Sequence, residues 1–445
     1  MDLRIEGGRA LAGTVRVNTA KNSAVALLSA SLVNHGRTTL RRLPRIEEVK
    51  RIIEVLESIG GTVKWLNETD VEITPPAKLN LKNLNRGAAM KTRSVVLLLG
   101  SLAHRETEFT LPHPGGCRLG ARSVRPHLLA LAPLGVKIVS RHDDYAVTVR
   151  PVFSRTKGES RQIILSEAGD TVTENALLAA ARLPGQTTIK FASANYMVQE
   201  LCYFLTALGL EIAGLGTSTL VVRGGGEQNR EVEYSLAEDP IEAMLFLALA
   251  ATTGSALTIE RAPIDFLELE LLKLGQMGFK YQITRRYLSQ NGQTNLVDIV
   301  TRPAATAYRS GRLRAAPEKI HPLPYPGLNI DNLPFFVPIA TQARGTTLIH
   351  DWVYEDRAIY YLEMNKLGAE LVLADPHRVL VKGPTPLSGA EVICPPALRP
   401  AAIILIGMLA AHGPSLLRNV YSINRGYEDL ATRLQKLGAK IEVVN

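Results

Sequence analysis

Residues 401–444, AAIILIGMLAAHGPSLLRNVYSINRGYEDLATRLQKLGAKIEVV, contain the unit from which the rest of the chain is built. The first eleven residues, AAIILIGMLAA, are apolar on every side. A helix with no polar face belongs inside a core, and eleven residues are too few to span a bilayer. A turn and a short β segment, GPSLL at 413–417, follow. A second, amphipathic helical stretch then ends at Leu437-Gly438, where glycine supplies the left-handed cap that stops a helix. The next residues, AKI, alternate outward and inward, as a half-buried strand does.

This unit recurs six times, about every 70 residues, a period that marks a repeat architecture. The glycine caps fall at Ile59-Gly60, Leu134-Gly135, Leu208-Gly209, Met277-Gly278, Leu367-Gly368 and Leu437-Gly438. Apolar helices ending in a β segment alternate with them. The β segments are GRTTL at 36–40, ETEFTL at 106–111, GQTTI at 185–189, GSALTI at 254–259, GTTLI at 345–349 and GPSLL at 413–417. Helices apolar all round, with strands beside them, predict an α/β chain of two domains. Each has three repeats, with helices inside and sheets outside. The segment EVEYSLAE at 231–238 is the expected hinge, and 284–326, rich in Arg, Gln, Asn and Pro, reads as a surface insertion or loop.

Bulk composition narrows the function class. At 445 residues, 46% hydrophobic and 21% charged, the chain is globular and long enough for two or three domains. The net charge of +9 fits an anionic partner. The cations are spread out, without a dense Lys/Arg block or tail, which suits a phosphate pocket better than a nucleic-acid stripe. Three cysteines, Cys117, Cys202 and Cys394, form no CxxC pair and no disulfide framework, so reduced thiols in a cytoplasmic protein are expected. The N-terminus MDLRIEGGRALAG has neither a basic start nor an apolar run, so no signal peptide is expected. No spacing of His, Cys, Asp or Glu suggests a metal site, and no cofactor is expected.

Six segments carry candidate chemistry. In TAKNSAVALL at 19–28, Lys21 and Asn22 stand at the start of a buried helix; this is either an anion site or a solvated lysine beside a cap. In PHPGGCRLGARSVRPH at 112–127, Gly115, Gly116 and Gly120 loosen a loop that holds Cys117, Arg118 and Arg122. A thiol among guanidiniums can act as acid, base or nucleophile. In YPGLNIDNLPFF at 325–336, Asp331 is either a helix cap or a base beside a substrate hydroxyl. Arg357 in YEDRAIYY, Arg399 in CPPALRPAA and Arg425 in INRGYED lie at corresponding ends of repeats. Each alone reads as a surface residue; together they read as the cations of a pocket.

The AKN of 20–22, the GGCRLGAR of 115–122, the INRGYE of 423–428 and the sixfold repeat resemble the enolpyruvyl transferase family, in particular its UDP-N-acetylglucosamine 1-carboxyvinyltransferases. The resemblance covers essentially the whole chain. It implies two inside-out α/β domains, 21–231 and 1–20 plus 232–445, that close on their substrates. It implies transfer of the enolpyruvyl group of phosphoenolpyruvate to the 3-hydroxyl of a UDP-sugar, the first committed step of peptidoglycan synthesis. By this resemblance Lys21, Arg122, Arg399 and Arg425 hold phosphoenolpyruvate. Asn22, Arg93 (in KTRSVV), Ser166, Asp331 and Arg357 serve the sugar nucleotide. Cys117, Asp331 and Lys21 are the catalytic groups, with Cys117 linked to protonation of the enolpyruvyl methylene and to alkylation by fosfomycin-type epoxides.

Some positions depart from the family pattern. Ala397 stands where the family often has Asp, Asn195-Tyr196-Met197 replace an acidic stretch, Arg125 stands where Asp is common, and the loop from Ser166 to Asp170 is altered. Most of these sit on the acceptor side. They leave open a diverged transferase with another acceptor, such as shikimate 3-phosphate or a specialised-metabolite nucleotide. The charge leaves open a non-catalytic nucleic-acid-binding paralogue.

Overall fold

The computed structural model describes residues 1–115, 119–120, 123–150, 160–302 and 313–444. These fall into two compact units: 19–115 with 123–237, and 1–18 with 119–120 and 238–444. The unit boundaries lie at 18–19 and 237–238.

The first unit is organised around three apolar helical stretches. These are Lys21–Ala30, the pair Ser94–Leu97 and Leu98–Ser101, and Asp170–Ala181. The second unit has Pro240–Thr253, the pair Leu333–Phe335 and Phe336–Thr341, and Leu398–Ala410. Sequence dictates their position: every residue of 240–252 is buried, so the helix at Pro240–Thr253 has no face to offer to water. Burying each Leu, Ile, Phe or Met side chain contributes about 1.5–3 kcal/mol, and this is the main force that gathers the helices.

Among the described residues, six sheets lie outside these helices, three in each unit. All six β segments read from sequence are strands: Thr38–Arg41, Glu108–Pro112, Gly185–Lys190, Ala256–Pro263, Gly345–His350 and Pro414–Arg418. The first five each pair antiparallel with the second strand of a hairpin, whose first strand follows a glycine cap. In the first sheet Thr38–Arg41 pairs with Val71–Thr74, and that strand pairs with Thr62–Trp65. The six cap glycines have φ between 81° and 98°, the left-handed region that glycine enters without a steric penalty.

The sixth sheet closes on the chain's beginning. Asp2–Glu6 takes the hairpin position between Pro414–Arg418 and Lys440–Val444. Four sheets add a parallel edge strand, and two of those strands lead straight across a unit boundary. Ala12–Arg16 pairs with Ala256–Pro263 in the second unit before the chain enters Lys21–Ala30. Val232–Ser235 pairs with Thr38–Arg41 in the first unit before Pro240–Thr253. The expected hinge at 231–238 is therefore half strand, and the unit boundary at 237–238 falls within it.

The expected surface insertion or loop at 284–326 is corrected in its first part. Tyr281–Leu288 and Asn295–Thr301 form an antiparallel hairpin, and the buried Leu296, Val297 and Ile299 pack its second strand inward. Beyond it, Ile320 bridges to Ile349. The many polar residues there face outward from a sheet, so local polarity concealed a strand whose inward side is apolar.

Candidate functional site

All six apolar helices carry a charged residue at or just before their start: Lys21, Arg93 and Asp170 in the first unit, and Asp239, Asp331 and Arg399 in the second. Helix N-termini expose unpaired N–H groups, so these positions are the polar ends of otherwise apolar cores.

In the first unit Lys21 and the segment that carries Arg93 meet at one glutamate. Glu48, in the first turn of the helix Glu47–Ser58, is buried. Its Oε2 lies 3.7 Å from Lys21 Nζ. Its Oε1 accepts from Thr92 Oγ1 at 2.7 Å and Ser94 Oγ at 3.1 Å, the residues on either side of Arg93. Gly115 abuts the same segment: a Cβ there would sit 1.7 Å from the Met90 carbonyl oxygen, so no larger residue fits. Asn22 Nδ2 donates to Tyr196 Oη at 3.1 Å. Tyr196, in the stretch that departs from the family's acidic pattern, thus has a polar partner of its own. Asp170 accepts from Ser193 Oγ at 2.6 Å and Asn195 Nδ2 at 3.2 Å. Glu174 is fully buried one turn into that helix; burial pushes its carboxyl well up, Asp170 adds to this and Lys21 opposes it. Ser166 is exposed in the bend before the helix.

The second unit gathers three of the expected residues. Asp331 Oδ2 lies 3.4 Å from Arg399 Nη2, and its Oδ1 lies 3.7 Å from Arg357 Nη1. Arg357 is buried and held from behind, because Asp351 accepts from its Nε at 2.6 Å and its Nη2 at 2.7 Å. Asp351 also accepts from Tyr361 Oη at 2.5 Å. Paired this way, a buried guanidinium keeps a fixed direction. Arg399 Nη1 donates to Tyr427 Oη at 2.6 Å. Arg425 follows the short helix Tyr421–Asn424, its N–H bonded to the Tyr421 carbonyl. Asp331 is not the cap of the helix that follows it: Asn332 stands at the N-cap of Leu333–Phe335, and the Asp331 N–H is held by Asn329 Oδ1 at 2.8 Å.

Ala397 is the N-cap of Leu398–Ala410, is buried, and offers no side-chain cap. The carboxylates that address Arg399 are instead Asp331 and Asp239. Asp239 caps Pro240–Thr253 through Ile241 N–H at 2.8 Å. Burial pushes its carboxyl up to about 6, with Arg399 pulling the other way. Cys117 and Arg122 lie outside the described residues. Sequence reasoning did not single out Glu48, Asp351, Tyr427 or Asp239. Glu48 is one of two adjacent glutamates at a helix start, a pattern that reads as a solvated face.

Comparisons with known proteins agree with this architecture. The family model for EPSP synthase (3-phosphoshikimate 1-carboxyvinyltransferase) matches residues 5–443. A UDP-N-acetylglucosamine 1-carboxyvinyltransferase of Treponema denticola is 32% identical, over 99% of this chain and 98% of its own. One from Bradyrhizobium diazoefficiens is 31% identical, over 99% and 97%. Among solved structures, the enolpyruvyl transferase NikO from Streptomyces tendae superposes with a TM-score of 0.80 at 23% identity, covering 99% of this chain and 98% of that one. EPSP synthase from Acinetobacter baumannii gives 0.74 at 18%, covering the whole of both chains. These two likenesses establish the shared fold. No helix among the described residues is long and apolar enough to cross a membrane. With a match along nearly all its length to both the family model and the curated relatives, the chain belongs to the EPSP synthase family of enolpyruvyl (carboxyvinyl) transferases.

Proposed function

We propose that this protein transfers the enolpyruvyl group of phosphoenolpyruvate to the 3-hydroxyl of UDP-N-acetylglucosamine and releases phosphate, in the cytoplasm, at the first committed step of peptidoglycan synthesis. The observation that carries the reading is the Asp331 cluster, one carboxylate held between two buried guanidiniums at the head of an apolar helix. The full-length relatives that bear this activity's name support it.

The chemistry is addition followed by elimination. The acceptor oxygen bonds to C2 of phosphoenolpyruvate as its proton passes to a base, and C3 takes up a proton. The C2–O bond to phosphate then breaks, its electron pair leaving with phosphate, while C3 gives up a proton to restore the double bond. Asp331 takes the hydroxyl proton. Lys21, Arg122, Arg399 and Arg425 neutralise the phosphate and carboxylate, and such fixed charges act most strongly on the charge that develops as the reaction proceeds. Cys117 delivers the proton to C3. Asn22, Arg93, Ser166 and Arg357 orient the sugar nucleotide.

An acceptor panel tests this. Phosphate release from phosphoenolpyruvate is expected with UDP-N-acetylglucosamine and not with shikimate 3-phosphate or a nucleoside monophosphate. Turnover of shikimate 3-phosphate alone would overturn the acceptor assignment.

A further inference from the structure

One arrangement occurs in both units and no step of the proposed mechanism uses it. In the first unit Glu48 sits in the first turn of the amphipathic helix of the first repeat. Its Oε1 takes both hydroxyls that flank Arg93, and its Oε2 faces Lys21. In the second unit the corresponding helix is Glu268–Gln276, and Glu270 lies in its first turn, equally buried. Glu270 Oε1 accepts from Asn329 N at 3.2 Å and Asn332 Nδ2 at 2.8 Å. Those residues flank Asp331, and Asn329 Oδ1 in turn holds the Asp331 N–H. Each glutamate therefore reaches from one repeat to the segment that opens the next repeat's apolar helix, and that segment carries a site residue.

We infer that Glu48 and Glu270 are positioning residues of the reaction, Glu48 for Lys21 and Arg93 and Glu270 for Asp331. The inference rests on the function proposed above. A glutamate in the first turn of a helix is ordinarily solvated, where it complements the helix dipole for a few tenths of a kcal/mol. Burying it is unfavourable unless its oxygens are bonded, and in both units they are bonded to the site segment. Without the glutamate, two donors in each segment lose this acceptor, one of them buried (Thr92 and Asn332), and the segment is free to shift. A shift of about 1 Å in a group that must meet a substrate can cost about 100-fold in rate.

The test compares Glu48→Ala, Glu48→Gln, Glu270→Ala and Glu270→Gln with the wild type, alone and in Lys21→Ala or Asp331→Ala backgrounds. Glu48→Ala should raise KM for phosphoenolpyruvate about 10-fold with a smaller change in kcat. Glu270→Ala should lower kcat at least about 10-fold and leave KM for phosphoenolpyruvate within about twofold. Gln keeps an accepting oxygen, so it should restore most of the Glu270 function. At position 48 it should restore only part, because the charge facing Lys21 is gone. Each effect should shrink towards nothing in the background that already lacks the residue it positions. Full additivity, or equal changes in KM and kcat that follow only the loss of Tm, would overturn the inference. If the wild type releases no phosphate with any acceptor, the function fails on its own. Calorimetric titration of phosphoenolpyruvate then decides the positioning role: weaker binding by Glu48→Ala than by wild type supports it. Equal binding, or no binding to either, overturns it.

Discussion

Two of the three cysteines, Cys202 and Cys394, are made inert by burial. Cys202 and Cys394 are buried, and burial pushes both thiols up to about 12, so neither is a thiolate near neutrality. A thiol-directed epoxide such as fosfomycin should therefore label Cys117 alone, and Cys117→Ser should retain a free, unlabelled enzyme. Peptide mapping by mass spectrometry checks this; adducts on Cys202 or Cys394 would contradict it. Asp239 makes a pH-dependent prediction. Its folded-state carboxyl titrates near 6, above the ordinary carboxylate range. A raised value means that the folded state holds the proton more tightly. This group's stabilising contribution is thus complete below about pH 4 and is lost as pH rises through 6. Asp239→Asn keeps a capping oxygen and removes the titration. Relative to wild type it should gain on the order of 3 kcal/mol between pH 4 and 7.5, because each tenfold difference in proton affinity between the folded and unfolded chain is worth about 1.36 kcal/mol. Denaturant midpoints that change identically with pH in both proteins would contradict this.

At the scale of the element, the glycine caps are the most exacting positions. Gly438 has φ of +94°, and a Cβ added there would meet no atom within 4 Å, so a substitution meets backbone strain and no clash. Gly438→Ala should cost about 1–2 kcal/mol, read from urea unfolding, and a neutral result would mean that the cap relaxes freely. These caps were legible in sequence because an apolar residue followed by Gly and an alternating triplet leaves few other readings. The first strands were legible for the same reason. The hairpins were harder to see. The strand Asn295–Thr301 and the outer part of Tyr281–Leu288 went unread, because Arg285 and Arg286 sit on exposed positions and local polarity argued for a loop. In the site, Lys21, Asp331, Arg357 and Arg399 could be named because they stand in segments that open or flank apolar helices whose starts are visible in sequence. Glu48, Glu270 and Asp351 could not, because their roles depend on contacts across 6 to 62 residues that no local pattern encodes.

At the scale of the whole molecule, the sixfold unit is continued around the chain by its own beginning. Asp2–Glu6 is an inner strand of the sixth sheet, bonded on both sides, with Leu3 and Ile5 buried. Deleting residues 1–10 should remove that strand and separate Pro414–Arg418 from Lys440–Val444. The second unit should then lose far more stability than a frayed terminus would explain, with a lower thermal midpoint assigned to 238–444 by hydrogen exchange. Unchanged protection of 414–418 would contradict this. The same economy applies to the chemistry, since each charged residue at the head of an apolar helix comes from a different repeat. The central claim is that these groups serve enolpyruvyl transfer. Its most direct test is to incubate the protein with phosphoenolpyruvate and UDP-N-acetylglucosamine and to identify the product by NMR and mass spectrometry. A carboxyvinyl ether at the 3-oxygen of the sugar, formed mole for mole with phosphate, is the predicted result; phosphate release without that ether, or neither product, would contradict it.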